Sequence, residues 1–465
     1  MNRKIKAVIG LLGICLLTAI TGCGKGEAKM AEGITPIIDQ EGADPSILKK
    51  DGIYYYTKTT GNNVSLFRSD TFTDMAAGEA KIVYEPNGDL KDLWAPEIIY
   101  LDEAWYIYFA ATPQGEDVHY MYVLMNPNED PFEGTWECMP VKGMDDKFAI
   151  DGTVLDTESG RYFIWSGWEG YENVRQDLYL AEMISPAEVK EEKILLSKPE
   201  YDWEKVGNPL VNEGPEILIR EDTINLVYSA SGSWTDDYCL GLLTAKKGSD
   251  LKNPASWKKE EEPICSFANG VYGPGHNGFT VSEDDSQDIL IYHAARWQGA
   301  GWSRSVRFGY LTFDDSGKIQ KIEPSDSNEL LAFPSGEMAR EIYFSDSFEK
   351  EGAIELQMDE GSLSKNVVSG FLETEDGISI EVSREKEGPC TVYVYLKIAD
   401  AYDDSMATGI QADINGDTYV KTAFPAEYYQ PVAFPVTLKK GKNVIRIGSE
   451  AGAVLLYVDR IEITK

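Results

Sequence analysis

Histidine is nearly missing from this chain, with 3 residues in 465, and cysteine is scarce at 6. No two cysteines stand in a C-x-x-C pair, and none of Cys138, Cys239, Cys265 and Cys390 has a histidine at metal-ligand spacing. A zinc or redox centre is excluded on that pattern, and the four read as buried free thiols. Basic charge is also deficient, 43 Lys and Arg against 78 Asp and Glu, for a net charge of −35. Nucleic acid and anionic membrane surfaces are poor partners for such a chain, whereas neutral ligands remain compatible. Long amphipathic helices are absent before residue 320, where segments such as "SPAEVKEEK" offer at most a turn. An apolar run does occur at the start, from Ala7 to Ile20, but it is short for a permanent membrane span.

That run sits inside "MNRKIKAVIGLLGICLLTAITGC", behind a basic segment carrying Arg3, Lys4 and Lys6. The arrangement reads as a secretory signal over residues 1–22. Its ending, Ile20-Thr21-Gly22-Cys23, resembles a bacterial lipobox, in which the cysteine is lipidated and becomes the mature N-terminus. Cys23 is therefore the expected lipidation site. The protein is expected on the extracellular side of a bacterial membrane, held by acyl chains, with residues 23–35 as a linker.

What the chain has in abundance is strand-forming sequence. Aromatics make up 11%, and 42 Gly and 21 Pro are scattered through it. The phrases "GADPSILKK", "WAPEIIYLD", "AIDGTVLDT", "VNEGPEILIR" and "GHNGFTVSE" recur at intervals of roughly 50 to 60 residues. Each sets a polar residue (Asp44, Glu97, Asp151, Glu213 and His276) at the entrance of an apolar strand. An aromatic strand follows each time, as in "GIYYYTKTT" or "DILIYHAAR", and then a third strand. Antiparallel meanders repeated at this period fit propeller blades around a central channel. The expected fold is therefore all-β, with a five-bladed β-propeller over residues 36–335. After about residue 345 the texture changes to alternating strands with Asn-Gly and Lys-Lys-Gly turns, suggesting a β-sandwich, jelly-roll-like, over 340–465.

In a propeller the first strand of each blade lines the channel, so the entrance residues converge, and a carboxylate there faces a shared cavity instead of a core. Asp44, Asp151 and Glu213 then give three carboxylates in one hollow. Two carboxylates across a bond suffice for glycoside hydrolysis: one, with a raised pKa, protonates the leaving oxygen, and the other activates water. A third can raise the acid and hold it in place. Aspartate is also a common turn residue at strand starts, which is the structural alternative for any one of the three.

Taken together, "ADPSI", "LWAPEI", "FAIDGTVL", "NEGPEIL" and "YGPGHNGFT", in this order, resemble glycoside hydrolase family 43 over essentially all of residues 36–320. The resemblance implies an inverting mechanism with Asp44 as general base, Asp151 as pKa modulator and Glu213 as general acid. It requires no cofactor for the chemistry. It implies that His276 lies under the catalytic centre, touching a hydrated calcium or sodium ion through water, and that Arg304 is presented to sugar hydroxyls, with Arg307 and Arg296 as competitors. The second motif reads Trp-Ala-Pro-Glu where many members have Asp, so Glu97 bears on pocket shape. Trp94, Trp168, Tyr272, Trp234 and Trp302 are candidate walls, because sugar C–H faces stack on aromatic rings.

The C-terminal segment resembles carbohydrate-binding modules of families 6 and 35, more loosely. The resemblance implies a structural calcium between Glu355 and Asp459, although Gln357 stands where a second acid is frequent. The expected function is an exo-acting enzyme releasing terminal α-L-arabinofuranosyl residues from plant polysaccharides or oligosaccharides, with no obligate protein partner. The alternatives are a β-xylosidase or galactan-trimming enzyme of the same family, a non-catalytic glycan-binding surface lipoprotein, and a propeller phosphorylase, which the lack of a basic cluster disfavours.

Overall fold

Short β-branched and aromatic runs become strands here because two-residue turns of the right hand separate them. Asp51 and Gly52, with φ of 53° and 81°, join Ser46–Lys50 to Ile53–Thr57, and Asp102 and Glu103, at 50° and 61°, join Leu90–Leu101 to Ala104–Pro113. Two successive residues at positive φ match the twist of a tight hairpin. The structure is a computed structural model. It describes residues 29–398, 403–452 and 455–465, so the signal segment and Cys23 lie outside the described residues.

The fold is all-β. Among the described residues the helical elements are short 3-10 turns, Phe72–Ala77 being six residues long. Five antiparallel meanders follow one another. Their innermost strands are Ser46–Lys50, Leu90–Leu101, Ala149–Thr157, Leu210–Arg220 and Gly275–Val281. The fifth meander is completed by Ile37–Asp39, which pairs with Arg304–Tyr310, so the start of the chain closes its last unit. The third and fourth meanders are also joined by a short parallel pairing of Arg175 and Gln176 with Leu210 and Val211.

Hydrophobic clusters fill the space between consecutive meanders. Leu66 packs with Phe109 and Leu124, Tyr108 and Val123 with Phe163, Ile164 and Leu178 with Leu226 and Tyr228, and Leu240 and Leu242 with Leu290 and Tyr292. A further cluster sets Ile291 and Phe308 of the last meander against Tyr54 and Tyr56 of the first. The packing therefore closes a ring, and each buried face stabilises two units at once.

Beyond the ring lie two more sheets. One contains Glu341–Phe344, Leu456–Ile463, Gly388–Ile398 and Gln430–Leu438; the other contains Gly377–Arg384, Gly441–Ser449 and Thr408–Ile414. They share one core, in which Val394 and Ile461 of the first sheet meet Ile378 and Ile445 of the second. Part of the segment expected as a linker is structured: Lys29–Met30 pairs with Glu341 and Ile342 of the first of these sheets.

Arg340 stitches the two regions together. It is buried against the Tyr393 ring at 3.9 Å, lies 3.1 Å from Asp74 and 3.5 Å from Glu462, and donates to the Thr73 carbonyl. Replacing it takes a cation from the partly exposed Asp74 and from the buried Glu462, which keeps Arg460 at 2.7 Å. Arg340→Leu is expected to lower stability by about 3 kcal/mol and to split urea unfolding, followed by tryptophan fluorescence and circular dichroism, into two non-coincident transitions.

Candidate functional site

At the mouth of each innermost strand one residue adopts a left-handed conformation: Asp44, Ala95, Asp151, Gly214 and His276, with φ of 54°, 45°, 56°, 53° and 48°. Four of the strands show a register shift at this point, the second skipping between Trp94 and Glu97 and the fourth between Glu213 and Glu216. Such a bulge re-aims side chains that would otherwise stay in strict alternation. It also corrects the alignment of the repeat. Glu97 stands two residues deeper than Asp44 and Asp151 do on their strands, and Glu213 precedes its left-handed position, which Gly214 fills. Only a glycine fits there without strain, and a Cβ would also come within 3.2 Å of the His276 ring.

Asp44 and Asp151 line one hollow with His276, Asn277, Glu97 and Glu216, and Glu213 is close enough to act electrostatically on Asp151. The Gly214 N–H donates to Asp151 Oδ2 at 3.0 Å, fixing that carboxylate against the strand that carries Glu213. Asp151 and Glu213 are each 8% exposed. Burial, followed by the negative charges of Glu213 and Asp44, pushes the Asp151 carboxyl well above the usual carboxylate range. Burial also raises Glu213, to about 7; the Tyr238 hydroxyl, which donates to its Oε1 at 2.9 Å, and Arg304 pull it down, while Asp44 pushes it up.

Asp44 is held differently. Thr59 Oγ1 donates to its Oδ2 at 2.7 Å, and its Oδ1 lies 3.2 Å from His276 Nδ1 and 3.6 Å from Arg304 Nη1. The backbone N–H of Asp44 donates to His293 Nδ1 at 3.0 Å. Burial keeps that imidazole neutral, so its own proton resides on Nε2. Thr59 also accepts from the Ala95 N–H at 2.7 Å, tying the first meander to the second.

Of the three candidate arginines, Arg304 faces the hollow. Arg307 donates to Ser327 and to the Ser325 carbonyl, and Arg296 to the Pro425 carbonyl and Asp404. Trp94 stands at the mouth, 39% exposed, stacked on His119 with centroids 3.6 Å apart. Trp168 stacks on Phe148 at 4.5 Å beside a cavity of about 130 Å³. Trp302, 69% exposed, donates to Ser233, whose carbonyl accepts from Arg304. Tyr272 packs on Phe267 at 4.9 Å and has no described contact with the three carboxylates.

Among the described residues no group of three or more His, Cys, Asp or Glu side chains is arranged to hold an ion. His276 Nδ1 faces the Asp44 carboxylate. Glu355 is exposed on its strand, whereas Asp459 is buried, pairs with Arg460 at 2.8 Å and accepts from Ser364 Oγ at 2.9 Å. A carboxylate already neutralised by a buried guanidinium does not fit a calcium ligand. Sequence reasoning passed over Thr59, Tyr238, His293 and Glu216. His293 lies on the second strand of its meander and Tyr238 just before the third strand of its own, Cys239–Lys246, where the repeat marks packing positions and gives no cue that a polar edge reaches the channel.

The Tyr238 contact makes a direct test. Its hydroxyl stabilises the ionised form of Glu213, so Tyr238→Phe is expected to move the Glu213 titration above 7. Difference infrared spectroscopy against Glu213→Gln over a pH series would show the shift, and an unchanged midpoint would remove the assigned contact.

Residues 34–319 match the sequence profile of glycosyl hydrolases family 43. An extracellular exo-α-(1→5)-L-arabinofuranosidase of Streptomyces chartreusis is 38% identical over 61% of this chain and 88% of its own length. A counterpart from Streptomyces avermitilis is 35% identical, over 61% of this chain and 61% of that protein. Among solved structures, an α-L-arabinofuranosidase from Lactobacillus brevis superposes with a TM-score of 0.60 at 33% identity, covering 64% of this chain and 98% of that one. An exo-β-1,3-galactanase from Phanerochaete chrysosporium, at 15% identity and a TM-score of 0.52, covers 94% of this chain and 100% of its own, a likeness of fold alone. With three carboxyls of separate strands meeting at the mouth of a closed all-β ring, the chain belongs to family 43 of the glycosyl hydrolases, an inverting family of glycoside-cleaving enzymes.

Proposed function

We propose that this glycoside hydrolase is an exo-acting α-L-arabinofuranosidase that releases terminal arabinofuranosyl residues with inversion, using Glu213 as general acid, Asp44 as general base and Asp151 as the group that tunes and orients Glu213. The observation that carries the reading is the division of labour among the carboxyls. Glu213 is buried and raised to about 7, so it holds a proton to give. Asp44 accepts from Thr59 and faces His276 and the Arg304 guanidinium across the hollow. Asp151 is locked by the Gly214 N–H against the strand that carries Glu213, and burial with the charges of Glu213 and Asp44 keeps its own carboxyl well above the usual range.

In the inverting reaction Glu213 protonates the glycosidic oxygen as the bond to the anomeric carbon breaks. Asp44 takes a proton from a water that attacks the same carbon from the opposite face. Inversion calls for these two carboxyls to stand about 6.5–9.5 Å apart. Arg304 would donate to sugar hydroxyls from its fixed fork while balancing the crowded acids. Trp94 and Trp168 are suited to stack on sugar rings; Tyr272, turned to Phe267, is a weaker wall. The names of the relatives from both Streptomyces species support the arabinofuranoside over a xyloside.

The same reading treats the five meanders of residues 36–335 as the blades of a propeller and the two sheets of 340–465 as a β-sandwich of carbohydrate-binding type. It also treats Cys23 as a lipid anchor outside a bacterial membrane. A calcium or sodium ion near His276, reached through water, belongs to this proposal as well, and Asn277, buried beside it with both amide atoms unpaired, is a further polar group available there.

A panel of aryl pentosides tests the substrate: turnover of the α-L-arabinofuranoside without the β-xyloside is expected, and the reverse pattern would transfer the chain to the xylosidases. On natural oligosaccharides Glu213→Gln should lower kcat by about 10²–10⁴-fold, and by much less on activated aryl glycosides that scarcely need an acid. Because the acid works protonated, kcat/KM should fall as pH rises through about 7.

A further inference from the structure

Behind the mouth residues the channel carries a second ring. Two positions beyond each left-handed residue stand Ser46, Glu97, Thr153, Glu216 and Gly278, of which Glu97 and Glu216 line the same hollow as Asp44 and Asp151. Thr153 Oγ1 lies 3.4 Å from Glu97 Oε1 and 3.2 Å from Glu216 Oε2. Ser46 Oγ contacts Glu97 and accepts from the Ile98 N–H at 3.1 Å. Thr153 Oγ1 thus stands between the two carboxyls, which are close enough to act on each other. The Thr153 hydroxyl has one proton and serves one carboxyl at a time, and two ionised carboxylates have no donor between them. The charged groups lining the same hollow are Asp44 on the first strand, Asp151 on the third and His276 on the fifth; Glu213 stands three residues before Glu216, and Arg304 is turned to Asp44. Among the described residues no lysine or arginine pairs with either glutamate.

We propose that Glu97 and Glu216 share a single proton and form a positioning pair that holds the strands bearing Asp44, Asp151 and Glu213 in register. The linkage is direct. Asp44 is two residues before Ser46, Asp151 two before Thr153 and Glu213 three before Glu216, so a contact in the second ring sets the spacing in the first. Both glutamates are half-buried at the narrow channel, and burial raises both above the ordinary carboxylate range. One carboxyl in the pair must stay neutral at working pH, as in other carboxyl pairs that share a site.

The sign of the pH effect follows. Unfolded, each glutamate loses its proton near about pH 4.3. The folded chain keeps one bound above that, so stability falls as pH rises from the unfolded value toward the raised one. Glu216→Gln supplies an amide donor in place of the shared proton. It should keep kcat and KM within about threefold of the wild type and lose less melting temperature between about pH 5 and 9. Glu97→Gln should likewise keep kcat. Glu97→Leu, which fills similar space without a polar atom, should lower kcat at least about tenfold with little change in KM.

A wild-type dependence of melting temperature on pH in Glu216→Gln would show that the pair holds no proton. A Glu97→Gln enzyme as impaired as Glu97→Leu would show that a charge, and not a hydrogen-bonded tie, is needed. Should Glu97→Leu fail to fold, the two glutamine variants still decide. The kcat comparison rests on the catalytic roles proposed above, whereas the melting series does not, so a protein inactive on every pentoside would leave the proton-sharing pair open to the same test.

Discussion

The architecture depends on one backbone device, the left-handed residue at the head of each innermost strand. Neighbouring innermost strands have almost no ladder between them, since a meander pairs within itself and its inner edge looks into the channel. What joins the units at the mouth is a set of single hydrogen bonds. Ala95 N–H reaches Thr59, Gly214 N–H reaches Asp151, and His276 N–H reaches Ser229 at 2.7 Å. In each case the donor belongs to the left-handed residue. The twist that aims Asp44, Asp151 and His276 into the hollow therefore also supplies the tie to the neighbouring unit. Left-handed non-glycine residues carry a steric cost, and here the tertiary contacts that impose the conformation are the ones that build the site.

The electrostatics follow from crowding. Five carboxyls, those of Asp44, Glu97, Asp151, Glu213 and Glu216, are gathered in or beside one hollow, and Arg304 is the cation ion-paired there among the described residues. They cannot all ionise at low dielectric. Their surroundings separate them: Asp44 collects the donors, while Asp151, Glu97 and Glu216 have hydroxyls or single amides and each other. Glu213 lies between these extremes: burial pushes it up, and the Tyr238 hydroxyl and the Arg304 guanidinium limit that rise to about 7. A group poised there can give a proton and recover it at neutral pH.

Much of this was legible in the sequence because the repeat is chemical as well as periodic. The five entrance phrases located the meanders, and convergence of their heads brought Asp44, Asp151, Glu213 and His276 to the same mouth. The finer alignment was not legible. A bulge shifts strand parity by a residue, and nothing in "WAPEI" or "NEGPEIL" announces whether the glutamate stands before, at or after the turn in the backbone. Glu97 and Glu216 each stand in a shared Pro-Glu-Ile, a cue that the nearby carboxylate of Glu213 masked, and both lie two places beyond a left-handed residue. Thr59, Tyr238 and His293 were hidden for another reason: they reach the site from outer strands and loops, where a strand pattern reports packing and not the direction of a polar edge.

The sheets beyond residue 340 bear on the site through the fifth meander. Arg296, stacked near the Phe424 ring at 5.0 Å, donates to the Pro425 carbonyl and to Asp404, which also receives Ser303. The Ser305 hydroxyl meets the Tyr428 hydroxyl at 2.7 Å, and the Arg307 guanidinium lies over the same ring. These contacts bracket Arg304 on both sides along the strand that brings it to Asp44. On alternate faces of that strand, then, one set of residues lies against the C-terminal sheets and the other faces the carboxylates. A segment held at Arg296, Ser303, Ser305 and Arg307 has little freedom to withdraw Arg304. The C-terminal region thus contributes to the geometry of the hollow while leaving the hollow itself to the five meanders.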